Sequence, residues 1–169
     1  MNSIGVDNAL HLVEKYSESH SGFPVPQCIT EQAQEGAPFD ISLVLRQDKE
    51  GIAHVTIRRP KQLNALNNVA FDQIERHFLD IESDSSIVGV VLSGFGIKAF
   101  VSGADVPFLA SIDSIAMGEE TSRGSQKSIQ AIEDCTKPVV CALNGLAFGG
   151  GNEIAMACNA RIARAGQRV

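Results

Sequence analysis

The chain has 169 residues, 44% of them hydrophobic and 20% charged, which suits a soluble globular domain with a real core. Its net charge of −6 argues against a nucleic-acid groove as its main business, and its apolar runs are too short to span a membrane. The four cysteines, Cys28, Cys135, Cys141 and Cys158, lack the short paired spacing of zinc or redox sites, so reduced thiols in a cytoplasmic protein are expected.

Residues Val6 to Glu18 place Leu10, Val13 and Tyr16 at helical spacing behind Asp7, the expected N-cap. "SHSGFPVPQ" breaks that helix, and a short one is predicted from Ile29 to Gln34, stopped by Gly36 and Pro38. The composition changes near Phe39, which divides the chain into a helical segment, 1–40, and a larger domain, 41–169. That domain opens on a predicted hairpin, Ile41–Gln47 and Ile52–Arg58 around Asp48 to Gly51. A helix follows from Asn67 to Glu82 with Phe71, Ile74, Phe78 and Ile81 on one face. Ile87–Leu92 reads as a strand covered on both faces. "FVSGADVPFL" reads as a loop, 111–121 carries no clear pattern, and Ser122–Cys135 reads as a helix. Val139–Asn144 is another buried strand, followed by a helix opened by Gly149, Gly150 and Gly151, and "ARIARA" starts one more strand. Alternating strands and helices predict an α/β fold with a largely parallel sheet.

Two backbone-rich loops carry the chemistry. A helix start presents free N–H groups with partial positive charge, and glycines let another molecule approach the main chain. The three glycines therefore read either as an oxyanion site or as tight helix-on-sheet packing. "KAFVSGAD" also follows a buried strand. If both loops end at one edge of a parallel sheet, a donor from the Ser102–Gly103 turn and one from Gly150 clamp a single carbonyl oxygen. Ser102 lacks the nucleophile elbow and a neighbouring histidine, which argues against a hydrolase triad. Glu153, in the first turn of the glycine-led helix, reads either as a dipole-offsetting acid or as a general base. "GFGIKA" matches a dinucleotide fingerprint but lacks the helix that must follow. "IRRPK" gathers Arg58, Arg59 and Lys61 where a phosphate-bearing ligand or plain solvent would meet them. His11, His20, His54 and His77 form no ligand pattern, and no metal is expected.

In order, "RPKQLNALN", "GIKAFVSGADV" and "ALNGLAFGGGNEIAMAC" strongly resemble the enoyl-CoA hydratase/isomerase (crotonase) superfamily. The resemblance implies a crotonase-like spiral of ββα units, trimers or dimers of trimers, and an acyl-CoA thioester as substrate, with no further cofactor. It assigns the two oxyanion N–H groups to Ser102 and Gly150. Gly103, Ala104, Asp105 and Gly149 line the substrate loops, with Lys61, Gln62 and Ala65 near the adenine and phosphates. Glu153 matches the first of two catalytic acids that hold a water for addition across the α,β double bond. The second acid falls beyond Val169, so the chain is expected to be C-terminally truncated with little hydratase activity alone. Pro107 replaces a common lysine, removing one CoA contact. The opening segment resembles the tail of a 3-hydroxyacyl-CoA dehydrogenase domain without its nucleotide-binding part. Two alternatives stay open: an enoyl-CoA isomerase using Glu153 alone or with Glu119 or Glu120, and a non-catalytic acyl-CoA-binding subunit.

Overall fold

The computed structural model describes residues 4–36, 39 and 42–166. The chain forms two compact units, Met1–Ile41 and Ser42–Val169. The first contains α1 (Val6–Ser19) and α2 (Gln27–Gln34). Gly5 rather than Asp7 is the N-cap of α1, and its positive φ of 81° is one that glycine adopts freely. Asp7 instead sits in the first turn, where a carboxylate offsets the helix dipole.

The second unit opens on an antiparallel hairpin of β1 (Val44–Lys49) and β2 (Ile52–Ile57), paired from Val44 with Ile57 to Lys49 with Ile52. Glu50 and Gly51 both have positive φ, the requirement of a tight two-residue hairpin turn. Pairing therefore runs through Asp48 and Lys49, which the sequence reading gave to the turn; its first residue, Ile41, lies outside the described residues. β3 (Gly89–Gly94), β5 (Val139–Leu143) and β7 (Ala160–Ala163) then add in parallel, in the order β1-β2-β3-β5-β7.

α3 (Asn68–Ser83) buries Phe71, Ile74, Phe78 and Ile81, the stripe legible in the sequence. Its start is fixed by the Asn67 side chain, which accepts the Ala70 N–H. Its end is tied down by the Lys137 ammonium, which donates to the Ile81 and Asp84 carbonyls. α3 packs on α5 (Ile115–Glu133), and the core gathers Val55, Ile57, Leu92, Phe100, Ile132 and Ile154.

α5 starts seven residues before the predicted Ser122, with Ser114 capping Met117. The periodicity misses this start because only Ser128 and Ile132 of the helix are buried. The predicted loop also contains structure: β4 (Ala99–Val101) and α4 (Val106–Ala110), the latter capped by Asp105. β4 pairs in parallel with β6 (Leu146–Ala147) as a separate two-stranded sheet. Strands of two or three residues are too short to show an alternation.

Candidate functional site

The site loops leave this small sheet rather than the edge of the main one. β4 runs into Ser102–Asp105; β6 runs into Phe148 and then α6 (Gly150–Ala157). This corrects the expectation that neighbouring strands of one large sheet deliver both loops. Convergence survives because the parallel pairing of Ala99 with Leu146 and Val101 with Ala147 sends both chains the same way. Phe148 N–H closes the pairing on the Val101 carbonyl at 3.1 Å.

The glycines divide the two readings between them. A Cβ on Gly151 would lie 2.3 Å from the Val101 carbonyl oxygen, so this glycine is a packing residue. Gly149, with φ 48° and ψ −121°, makes the sharp entry into α6, and a Cβ there would lie 3.8 Å from the Gly103 Cα. The two loops are thus in contact at Gly103 and Gly149.

A second segment flanks β4 on its other side. The chain from Arg59 to Leu66 makes a 3-10 turn at Pro60–Gln62, and then Leu63 and Asn64 both take left-handed conformations. Buried Asn64 locks this bend: its side chain accepts the Arg59 N–H and donates to the Phe95 and Ala99 carbonyls. This strap pairs with the first loop. Ser102 N–H donates to the Leu63 carbonyl at 3.1 Å, Leu66 N–H to the Gly103 carbonyl at 2.8 Å, and Asp105 N–H to the Leu66 carbonyl at 2.7 Å.

These bonds decide which donors are open. Ser102 N–H is already engaged, so the assignment of an oxyanion donor to Ser102 is corrected. In a trans peptide the carbonyl and the next N–H point in opposite directions. The Gly103 carbonyl faces Leu66, so the Ala104 N–H points away from the strap. The Gly149 carbonyl faces into α6, accepting from Asn152 at 2.9 Å and Glu153 at 3.1 Å, so the Gly150 N–H points out of the helix mouth. Among the described residues, neither Ala104 N–H nor Gly150 N–H has a backbone acceptor. Ala104, expected only to line a substrate loop, is the open donor that sequence reasoning missed. The missing signal is the pairing of its neighbours with Leu66.

The other candidates fall in place around this pair. Glu153 is exposed in the first turn of α6, three residues from Gly150. Glu119 and Glu120 lie on α5, in a shallow depression lined with Arg123 and Lys127 and not with Glu153. Lys61 is exposed on the strap, whereas Ala65 is buried and its carbonyl accepts from Arg59. The Gln62 carbonyl accepts from Ala65 N–H at 3.0 Å and lies 3.4 Å from the Ser102 hydroxyl. Arg59 leaves the expected basic cluster: its guanidinium lies 2.7 Å from the Asp105 carboxylate, both side chains being nearly buried. The Asp105 carboxylate also caps Phe108 N–H at 3.1 Å, so it is committed inside the protein rather than facing a ligand.

The Phe108 N–H, followed by Arg59, holds the Asp105 carboxyl below the usual range. Bonds from Thr136 do the same for Glu82, and bonds from Ser86, then Arg46, for Asp84. A carboxyl depressed in the folded state stabilises it above the unfolded-state pKa, and that contribution is lost as pH falls through the folded-state value. Urea midpoints measured from neutrality downward are therefore expected to fall through and below the ordinary carboxylate range. A midpoint unchanged across that range would contradict these three environments.

Residues 47–167 match the sequence profile described as Enoyl-CoA hydratase/isomerase. Over 122 residues the chain is 43% identical to the short-chain-enoyl-CoA hydratase of Clostridium acetobutylicum, covering 72% of this chain and 46% of that protein. Over 147 residues it is 31% identical to the mitochondrial Delta(3,5)-Delta(2,4)-dienoyl-CoA isomerase of Mus musculus, covering 78% and 45%. A crystal structure of an enoyl-CoA hydratase/carnithine racemase from Magnetospirillum magneticum superposes with a TM-score of 0.70 at 30% identity, covering 73% of this chain and 47% of that one. The chain thus spans about half the length of these relatives.

Proposed function

The chain belongs to the enoyl-CoA hydratase/isomerase family, with a crotonase-type α/β fold, and from this we propose that its second unit binds a 2-enoyl-CoA thioester and stabilises the enolate formed on hydration. The observation that carries this reading is the pair of N–H groups, Ala104 and Gly150, that have no backbone acceptor among the described residues and lie on loops packed against each other. Adding water across the α,β double bond pushes electrons onto the thioester oxygen. Two fixed donors, one at a helix N-terminus, lower the cost of that charge. Glu153, one turn away and exposed, is the carboxylate suited to hold the attacking water or return a proton.

An isomerase reading with Glu153 as single acid stays open through the likeness to the dienoyl-CoA isomerase. Glu119 and Glu120 line a depression that does not include Glu153, which counts against their sharing a substrate with it. We also propose that the opening helices, α1 and α2, correspond to the tail of a 3-hydroxyacyl-CoA dehydrogenase domain.

Calorimetry with crotonyl-CoA, paired with its absorbance over prolonged incubation, tests the reading. Saturable binding of crotonyl-CoA is the expected result. No binding of the thioester would overturn the reading.

A further inference from the structure

We infer that the Arg59–Asp105 ion pair is a positioning element for the oxyanion donor at Ala104. The inference rests on the thioester reading above and adds residues that touch no substrate. Gly103 precedes the donor with φ +106°, and glycine does not hold such a conformation by itself. The donor peptide is therefore only as rigid as its neighbours make it. Leu66 secures it on one side, through the Gly103 carbonyl and the Asp105 N–H. The Asp105 carboxylate secures the next residue, held at 2.7 Å by Arg59 and at 3.1 Å by Phe108 N–H. Arg59 is anchored in turn, because its other terminal nitrogen donates to the Ala65 carbonyl within the same strap.

One guanidinium thus bridges the strap and the residue directly after Ala104. The side chains are 12% and 8% exposed, so water does little to screen the pair. A nearly buried ion pair adds little net stability compared with apolar packing, but its geometry is specific. An oxyanion donor works by being aimed before the charge appears, so geometric specificity at this point has a catalytic use.

The test uses the whole chain with Arg59→Met and Asp105→Asn. Backbone 15N relaxation in the absence of ligand is read at Ala104, with α3 amides as the reference. The parent is expected to be rigid there, with an order parameter of about 0.85, and both variants to fall below about 0.6 with α3 unchanged. Affinities for CoA, which has no thioester carbonyl, and for crotonyl-CoA are then compared. The preference for the thioester is expected to drop about threefold, part of the roughly tenfold that one whole hydrogen bond to a ground-state carbonyl is worth, with CoA affinity unchanged. Folded variants in which Ala104 stays as rigid as in the parent would overturn the inference. So would a failure of both variants to fold, which would make the pair a folding determinant only. If the parent shows no preference for the thioester over CoA, the oxyanion reading fails separately, and the Ala104 order parameters still decide whether the pair holds the loop.

Discussion

Replacing Gly150 by proline is expected to slow any hydration of crotonyl-CoA by roughly 10²-fold, the usual scale for losing one oxyanion donor, and to reduce the preference for crotonyl-CoA over CoA by up to about tenfold, the net worth of one hydrogen bond to a ground-state carbonyl. The substitution suits the site. Gly150 is the first residue of α6, the position where proline is best tolerated. Its N–H has no backbone acceptor among the described residues, so no backbone bond is lost with it. A Cβ there lies 3.4 Å from the Leu66 Cδ1, a side-chain end able to yield. Gly150→Ala is the matched control, adding the Cβ while keeping the N–H. Equal thioester preference in Gly150→Pro and Gly150→Ala would mean that this amide does not grip the substrate.

The neighbouring glycine is expected to behave in the opposite way. Gly151→Ala places a Cβ 2.3 Å from the Val101 carbonyl oxygen and 2.9 Å from the Val101 Cβ. The oxygen belongs to the main chain of β4, so no rotamer relieves the clash; α6 must move off the strand. Overpacking of a tight interior costs about 1–3 kcal/mol, and a backbone collision belongs at or above the top of that range. Urea unfolding of Gly151→Ala is therefore expected to show a loss of about 3 kcal/mol with the denaturant slope unchanged. Thioester preference should fall as well, because the shift separates the two donor loops. A stability within about 0.5 kcal/mol of the parent would show that the contact between α6 and β4 is soft.

Side by side, the two glycines show how far the sequence could be read. The triple glycine before an apolar helix points to close backbone approach, but nothing in the string separates the packing residue, Gly151, from the proposed donor, Gly150. That distinction comes from the facing Val101. The stripe on α3 was legible because the helix is long enough for a period to show, and β3 and β5 because they lie in continuous apolar runs. β4, β6 and α4 were not, being two to five residues each. The same limit hides that the Ser102 N–H is engaged while the Ala104 N–H is open among the described residues. Both lie in the same recognisable motif, yet which amide is open depends on a strap distant in sequence that pairs with Ser102, Gly103 and Asp105. Arg59 reads as a charge facing a phosphate or solvent, and Asp105, by the resemblance, as part of a substrate loop; the structure turns them toward each other.

The central claim is that Ala104 and Gly150 donate together to one thioester oxygen. Titrating 15N-labelled chain with crotonyl-CoA and following amide proton shifts tests it most directly. The account predicts that the Ala104 and Gly150 amides move downfield on one binding curve, absent with CoA alone, while Ser102 keeps its shift because its N–H stays on Leu63. A curve in which Ser102 moves and Ala104 does not, or in which Ala104 and Gly150 respond with different affinities, would contradict it.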